Sequence, residues 1–337
     1  MEDRASPENG KAPREEVANE RPTRRAADRQ RKIQLLAAGS LALLLFLLAW
    51  VPGVGFPEPA PPPEKPDPSS WSDSRLTLAY LGHATVLMRF CGVTILTDPA
   101  FFDRVGVEFG PWMLGPKRLV RVALGPREIP PPDVVLVSHA HMDSLDFPSL
   151  RALPRKTTLV VPRNTSSLVR DMGFRRTVEL SWGESLSVGS VEIEAVEVRH
   201  WGKRWPWDPW RGYNGYVLRG GGTSLLFAPD TAYSTRLSET ARKEGVEVFV
   251  LGNGAYDPWI RNHANPEEVW RMFRDSGARY LVPVHWDTFR LGKEPVGDAM
   301  RRLLEAAGPE SEKVVVRRIG QTWQLPRELS CASERIR

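Results

Sequence analysis

The hydrophobic positions divide the chain into five segments of different character. Residues 1–32 are polar and carry no apolar periodicity, which predicts a disordered arm. Residues 33–51 carry no charge and are centred on the run LALLLFLLAW, and their number is close to the roughly 20 residues that a helix needs to cross a bilayer. Residues 52–70 are rich in proline, which favours a semi-rigid, extended spacer. The folded domain is expected over 71–326 and a short polar tail over 327–337.

Within 71–326, short runs typical of strands alternate with helical patterns. The strict alternation over Val191–Val198 predicts a half-exposed strand, and Gly220 to Gly222 between two apolar runs predict a hairpin. Helices are expected near 148–153, at 166–172, and at 266–276 with Asn265 as N-cap. The other strands are predicted at Leu76–Phe90, Val93–Thr97, Asp133–Ser138, Thr158–Val161, Val246–Leu251 and Tyr280–Val284. This interleaving predicts an α/β protein with mixed sheets and outer helices.

The charge pattern around the apolar segment predicts its orientation in a membrane. Arginines and Lys32 cluster at the end of the arm, and such clusters stay on the cytoplasmic side. The sequence therefore predicts a single-pass anchor in the cell (inner) membrane, with the folded domain on the periplasmic or extracellular side. A cleaved signal peptide is the alternative, although no A-x-A site follows Trp50.

The composition narrows the classes of partner. The 337 residues are 41% hydrophobic and 26% charged, an ordinary globular balance, with a formal net charge of +5. This excess favours an anionic partner such as phosphate or acidic lipid, or it reflects solvated surface alone. No basic stripe is present, so no nucleic-acid partner is expected. The two cysteines, Cys91 and Cys331, exclude a disulfide-rich scaffold and a cysteine-based zinc site, and their spacing leaves a single disulfide open.

The strongest chemical signal is the segment from Ser138 to Ser144, which directly follows a predicted buried strand. In an extended segment, side chains two residues apart project to the same side, so His139, His141 and Asp143 can converge on one point. Imidazole and carboxylate groups are ligands that zinc prefers. Taken alone, the motif is equally compatible with two surface histidines.

Three further residues favour a metal site. His200, Asp230 and His285 each follow a predicted strand, where α/β proteins build their sites. All six histidines of the chain lie in the predicted domain. The sequence therefore predicts a metal centre formed at the ends of several strands.

These motifs together resemble the metallo-β-lactamase superfamily. The resemblance is closest to the branch that contains N-acyl-phosphatidylethanolamine phospholipase D and ascorbate-6-phosphate lactonase, and it covers about Tyr80 to Phe289. It implies an αββα sandwich of two mixed β-sheets with metals at one edge. The motifs that carry it, besides the ligands above, are Leu81 to Thr85, Thr97 to Pro99, His200-Trp201, Gly254 to Pro258, His263 to Glu268 and His285 to Phe289.

The resemblance also implies roles for individual residues. One metal would be held by His139, His141 and His200, Asp230 would bridge, and Asp143 and His285 would complete a second site. The family motif usually continues H-x-H-x-D-H, but Ser144 stands where the last histidine belongs. One or two Zn²⁺ ions are expected, or another divalent transition metal, and a site that has decayed altogether remains open.

The expected function is hydrolysis by a metal-activated hydroxide. Asp143 and His263 are the candidate catalytic residues, and His83 and Ser144 are expected to lie beside the metal ligands without binding a metal directly. The neighbouring segment supplies candidate substrate-binding residues, namely Lys203, Arg204, Trp205 and Trp207. The favoured substrate is a lipid or small-molecule phosphodiester, cleaved as by a phospholipase D. The alternatives are a lactonase or other ester hydrolase, and a non-catalytic binding module; the oligomeric state is not predicted.

Overall fold

The computed structural model describes residues 24–48 and 58–331 as two separate units. The first is a helix, α1 (Arg24–Leu48). It begins inside the arm predicted to be disordered, because the alanine, arginine, glutamine and lysine residues before Ile33 are strong helix formers. Positions 1–23, 49–57 and 332–337, with the predictions made for them, lie outside the described residues.

The predicted membrane anchor is not confirmed. Among the described residues, no helix is both long enough and apolar enough to span a bilayer. The last positions of the predicted segment 33–51 fall outside the described part of the chain.

The first sheet has seven strands in the order β15-β1-β2-β3-β6-β7-β8. Strands β1 to β3 form an antiparallel meander over the segments predicted as strands at Leu76–Phe90 and Val93–Thr97, and β6 and β7 add parallel to its edge. The strands are β1 (Thr77–Gly82), β2 (Thr85–Phe90), β3 (Val93–Thr97), β6 (Val134–Leu136), β7 (Thr158–Pro162), β8 (Arg176–Leu180) and β15 (Thr322–Gln324).

The second sheet has six strands in the order β14-β13-β12-β11-β10-β9. The hairpin predicted at the triple glycine is confirmed: Gly221 and Gly222 connect β11 to β12 with φ of 56° and 77°, a backbone region that glycine adopts without strain. The strands are β9 (Ser185–Val188), β10 (Val191–Val196), β11 (Gly215–Gly220), β12 (Thr223–Ala228), β13 (Val248–Gly252) and β14 (Tyr280–Val284).

The two sheets share one hydrophobic core, and helices lie outside them. Residues of both sheets belong to a single cluster of buried side chains. Helix α4 packs against β13 and contacts α3 and α5. The helices of this unit are α2 (Phe147–Arg151), α3 (Thr235–Lys243), α4 (Pro266–Ser276) and α5 (Asp298–Ala307), and a small exposed hairpin is formed by β4 (Val107–Phe109) and β5 (Trp112–Leu114). The predicted mixed α/β architecture with two sheets is confirmed.

The helix expected at 166–172 is the main wrong prediction inside the domain. Two 3₁₀ turns, Ser166–Leu168 and Arg170–Met172, occupy this segment. Val169 between them has φ −118° and ψ 3°, and Gly173 ends the segment with φ 72°. Seven residues are too few to stabilise an α-helix once its middle residue leaves the helical region.

Both ends of the second unit reach beyond the predicted boundaries of 71–326. The backbone of Ala60, in the predicted spacer, exchanges hydrogen bonds with Leu119 and Arg121. At the other end, Leu329 is buried, and a disulfide joins Cys331 to Cys91 in the β2–β3 turn. The described part of the predicted spacer and the first residues of the predicted tail therefore belong to the compact unit.

Candidate metal centre

Ligand-type side chains from both sheets converge at one end of the strands. The turn between β1 and β2 and the loop after β6 extend from the first sheet, and the loops after β10, β12, β13 and β14 extend from the second. The side chains brought together are His83, His139, His141, Asp143, His200, Asp230, His263 and His285. The six residues predicted as metal ligands are therefore among them.

A first group of donors surrounds Asp230. Its Oδ2 lies 3.3 Å from His139 Nε2 and 3.6 Å from His200 Nε2. His141 Nδ1 lies 2.6 Å from His139 Nε2 and 3.4 Å from His200 Nε2. The ligand atoms of these four residues all lie within 4.8 Å of one another, so they could hold one ion.

A second group lies on the other side of Asp230. His285 Nε2 is 3.2 Å from Asp230 Oδ1 and 3.6 Å from Asp143 Oδ2. His83 Nε2 is 2.9 Å from the same Asp143 oxygen. Asp230 thus offers one oxygen to each group, as a bridging carboxylate would.

The buried atoms of this centre fit a cation. Asp230 Oδ1 and both ring nitrogens of His285 are buried and make no hydrogen bond to any described residue, although Asp230 Oδ1 lies 3.2 Å from His285 Nε2. Unpaired buried polar atoms of this kind cost about 1–3 kcal/mol each, and a divalent ion would satisfy Asp230 Oδ1 and Nε2 of His285. Three or four histidine and carboxylate donors per group are the set that zinc prefers.

The protonation of the histidines also fits metal binding. Burial lowers the pKa of His83 and of His141 to about 4, and it lowers the pKa of His139 and His200 well below the usual range. These imidazoles are therefore neutral at pH 7, and neutral imidazole is the form that binds a metal.

The carboxylates make the second group different. Burial works against a charge on His285, but Asp230 and Asp143 outweigh it and raise the pKa of His285 to about 9. Burial raises the pKa of Asp230 to about 7. Burial also opposes the charge of Asp143, but the neighbouring imidazoles of His285 and His83 outweigh it and hold the pKa of Asp143 well below its usual range. Without an ion, His285 is therefore protonated at pH 7 beside the two carboxylates, and a divalent cation could take the place of that proton.

Hydrogen bonds outside the centre orient two of the ligands. Ser138 Oγ donates to Asp98 Oδ2 at 2.5 Å and lies 2.8 Å from His139 Nδ1. His200 Nδ1 lies 3.0 Å from the carbonyl oxygen of Asn262, which can only accept, so the proton sits on Nδ1. Each contact leaves Nε2 of the imidazole free for a metal. Asp98 was singled out in the sequence only as part of the Thr97 to Pro99 motif, and Asn262 carried no sequence signal.

The predicted neighbours of the ligands differ in their contacts. His263 is 8% exposed, its ring centre lies 5.0 Å from that of His200, and its ligand atom lies within 4.8 Å of those of Asp230 and His285. Ser144 is fully buried, and its hydroxyl has no hydrogen-bond partner among the described residues. The catalytic role predicted for Asp143 and His263 stays a prediction.

The aromatic segment after β10 lies against the centre. Trp201 stacks on His200 with ring centres 4.4 Å apart, a contact that was not assigned from the sequence. Trp205 and Trp207 stack on each other at 5.5 Å, and Trp207 is 68% exposed, so this pair does not belong to the core. Lys203 is exposed as well.

Arg204 of the same segment points into the protein. Its Nη1 donates to the carbonyl oxygens of Ala140 and Leu145, at 3.1 and 2.8 Å, and its guanidinium lies 4.0 Å from the ring centre of Phe147. Burial lowers the pKa of Arg204 to about 10. Arg204 therefore ties the segment to the loop that carries His141 and Asp143, and the substrate-binding role predicted for it and for Lys203, Trp205 and Trp207 stays a prediction.

Close backbone packing places His285. Gly254, after β13, passes so near that a Cβ there would lie 2.1 Å from the carbonyl oxygen of His285. His285 itself has φ 62° and His83 has φ 58°, a region that non-glycine residues rarely adopt. Such strain is concentrated at functional sites.

Comparison with known proteins agrees with this geometry. Residues 94–286 match the family described as the beta-lactamase superfamily domain, which is more than half of the chain. The chain belongs to this superfamily. Together with its relatives and structural neighbours, the match makes the protein a metallo-β-lactamase-fold hydrolase, as the sequence motifs predicted.

Individual relatives and solved structures can also be compared with this metallo-β-lactamase-fold hydrolase. An uncharacterized protein of Mycobacterium tuberculosis is 34% identical over 257 residues, which cover 74% of this chain and 68% of that protein. The mitochondrial N-acyl-phosphatidylethanolamine-hydrolyzing phospholipase D of Saccharomyces cerevisiae is 34% identical over 230 residues, which cover 64% of this chain and 48% of that protein. The isothiocyanate hydrolase from Delia radicum gut bacteria shares the fold, with a TM-score of 0.60 at 18% identity over 73% of this chain and 98% of that one.

Proposed function

We propose that the protein hydrolyses a lipid phosphodiester, as a phospholipase D does, at a centre of two divalent ions, with zinc the expected metal. The observation that carries the metal-dependent chemistry is the set of buried, unpaired donor atoms of Asp230 and His285 that face the other ligands. The substrate class is supported by the similarity to the phospholipase D of yeast.

The residues of the centre have distinct tasks in this proposal. His139, His141 and His200 hold one ion, Asp143 and His285 hold the other, and Asp230 contributes to both. When bound, the ions would supply a water molecule with a pKa lowered to about 7 and a positive charge for the substrate oxygen. The side chain of Asp143 is 14% exposed, against 1–2% for those of His139, His200 and Asp230, so it is the carboxylate placed to orient the attacking water or pass on its proton.

The segment after β10 would receive the substrate. Exposed Lys203 suits a phosphate group, and the stacked pair of Trp205 and Trp207 offers an apolar surface for an acyl chain. His263, kept neutral because burial holds its pKa well below the usual range, can share a proton with a substrate oxygen beside the centre. These roles rest on position and chemistry.

The location of the protein is a proposal as well. A domain on the periplasmic or extracellular side of the cell membrane would lie in an oxidising compartment, where disulfides persist. The bond between Cys91 and Cys331 supports this location. Attachment to the membrane through residues 33–51 stays a prediction from the sequence.

The test uses the purified full chain in detergent, with N-acyl-phosphatidylethanolamine in mixed micelles as substrate. Release of N-acylethanolamine is followed by mass spectrometry and metal content by elemental analysis, beside the variant His141→Ala. Loss of a residue that only supports a ligand costs about 10–100-fold in activity or metal affinity, so loss of a ligand is expected to cost more. We expect hydrolysis by the wild type and a fall of more than about 100-fold in the variant.

Each other outcome points to a different reading of the site. If the protein binds metal and cleaves a lactone or a sugar-phosphate ester but not the lipid, the metal-dependent hydrolase activity would stand and the proposed substrate would be wrong. A protein that holds no metal after reconstitution with zinc would overturn the metal-dependent mechanism and leave a binding module.

A further inference from the structure

The ligands predicted from the sequence for the second ion are short of nitrogen donors. The first ion has three imidazoles around Asp230, whereas the second has only the imidazole of His285, which lies 3.6 Å from Asp143 Oδ2 and 3.2 Å from Asp230 Oδ1. Ser144 follows Asp143 directly, and its buried hydroxyl is a weak ligand in place of an imidazole. Either this group binds a metal poorly or another residue supplies the missing donor.

His83 lies where that donor is needed. Its Nε2 is 2.9 Å from Asp143 Oδ2, and its ring centre is 4.2 Å from that of His285. The ligand atoms of His83, Asp143 and His285 all lie within 4.8 Å of one another. The sequence places His83 sixty residues before Asp143 and outside every metal-binding motif, so only the fold brings them together.

The separations suit a shared ion. Two ligands at about 2.1 Å from a tetrahedral zinc ion lie roughly 3.4 Å apart. The donor atoms here are separated by 2.9 Å for His83 and Asp143, 3.6 Å for His285 and Asp143, and 3.2 Å for His285 and Asp230. All three values lie within about half an ångström of that separation.

The backbone fixes His83 relative to His285. The carbonyl oxygen of His83 accepts from the amide of His285 at 2.7 Å, and the amide of His83 donates to Thr288 Oγ1 at 2.7 Å. His83 adopts φ 58°, which would suit glycine better, and its side chain is buried. The backbone of His83 is therefore strained and hydrogen-bonded to that of His285, and this arrangement fixes the imidazole of His83 beside the proposed second ion.

We infer that His83 is a ligand of the second metal ion and supplies the nitrogen donor that Ser144 cannot provide. The centre is then dinuclear, with three imidazoles and Asp230 on one side, His83, Asp143 and His285 on the other, and Asp230 Oδ1 lying 3.2 Å from His285 Nε2 between them. This inference rests on the proposed metal-dependent function.

The alternative role for His83 is a hydrogen bond that merely orients Asp143, and one substitution separates the two. In His83→Gln, the side-chain amide can still donate to Asp143, but it offers no imidazole nitrogen to zinc. Full-chain protein is reconstituted with zinc and passed through a desalting column. Zinc per chain is then measured by elemental analysis and zinc affinity by competition with a chromophoric chelator.

We expect two zinc ions per chain in the wild type and one in His83→Gln. The zinc affinity of the second site should be at least about tenfold lower in the variant than in the wild type. Ser144→Ala is the matched control, because it removes a buried hydroxyl one residue from Asp143 and should keep two. The double variant His83→Gln/Ser144→His should regain the second ion, because it returns an imidazole to the neighbourhood of Asp143. Retention of the first zinc ion in each variant shows that the centre is folded.

Two zinc ions of unchanged affinity in His83→Gln would overturn the inference and leave His83 as a hydrogen-bonding neighbour. A single zinc ion in the wild type would also overturn it, and the proposed metal-dependent hydrolysis would then use one ion instead of two. A wild type without zinc would instead refute the proposed function itself.

Discussion

Ser138 shows how one small side chain can orient a candidate metal ligand. Its hydroxyl hydrogen goes to Asp98, so its oxygen accepts from the Nδ1–H of His139 and fixes the ring with Nε2 toward Asp230. Its amide also donates to Asp98 Oδ1 at 2.7 Å, which holds the start of the metal-binding loop. The tautomer of His139 therefore follows from a chain of three residues.

The substitution Ser138→Ala should release this tautomer. Loss of such an outer contact typically lowers metal affinity by about 10–100-fold, and we expect a decrease in that range for the first ion. Competition between the protein and a chelator measures it. An affinity equal to that of the wild type would show that packing alone orients His139.

At the residue scale, the convergence of the six candidate metal ligands was predictable because each stands at the end of a recognisable strand or in the H-x-H-x-D motif. The sequence also predicted that His83 lies beside the metal ligands, but its particular contacts with Asp143 and His285 were not predictable, because a turn between two strands gives no sign of the distant loops it meets. The inward direction of Arg204 was also hidden, since an arginine among tryptophans has the same local pattern whether it faces substrate or protein.

Among the elements, the loop between β6 and α2 depends on a neighbour for its shape. Arg204 Nη1 bonds two carbonyl oxygens of this loop, and its guanidinium covers the ring of Phe147 at the start of α2. Without Arg204, the carbonyl groups of Ala140 and Leu145 would lose this hydrogen-bond donor. The loop that carries His141 and Asp143 is thus held from outside the metal centre.

The variants Arg204→Ala and Lys203→Ala separate a structural role from substrate binding. We expect Arg204→Ala to lower the free energy of unfolding by about 1–3 kcal/mol and to weaken metal retention, because the loop loses its donors. Because Lys203 is exposed, Lys203→Ala should only raise the Michaelis constant for an anionic substrate. Urea unfolding and substrate titration measure the two effects, and unchanged stability in Arg204→Ala would contradict this role.

The elements that were predicted well from the sequence are those whose structure is determined by residues close together in the chain. Helix α4 has Asn265 as its N-cap, with a capping box to Glu268, and β10 alternates between buried and exposed positions. The helix predicted at 166–172 was wrong because Val169 interrupts the segment and leaves two separate 3₁₀ turns. The hairpin of β4 and β5 was missed because its pairing involves only three residues on each side.

At the scale of the whole molecule, the disulfide ties the C-terminal segment to the first sheet. Cys91 and Cys331 are separated by 240 positions, and Cys91 lies at the end of β2 opposite to His83. Sequence spacing alone could not decide this pairing, because only the packing of Leu329 and its neighbours brings the segment back.

Cys331→Ser, or a reductant, should therefore lower stability without disturbing the metal. We expect a loss of about 2–5 kcal/mol in the free energy of unfolding, because the unfolded chain gains conformational freedom. Urea unfolding with and without reductant measures this, with zinc content as the control. Equal midpoints under the two conditions would show that the bond contributes nothing.

The spread of the ligands over both sheets has a consequence for the life of the folded chain. His83 and the loop after β6 belong to one sheet, and His200, Asp230 and His285 follow strands of the other. Neither sheet alone supplies the complete ligand set of either group, so tight metal binding would require the two sheets to have packed together, a contact expected to form late in folding. Contacts absent from the transition state slow unfolding and leave the folding rate alone. The availability of metal would then govern how long each molecule stays folded, rather than whether it reaches that state.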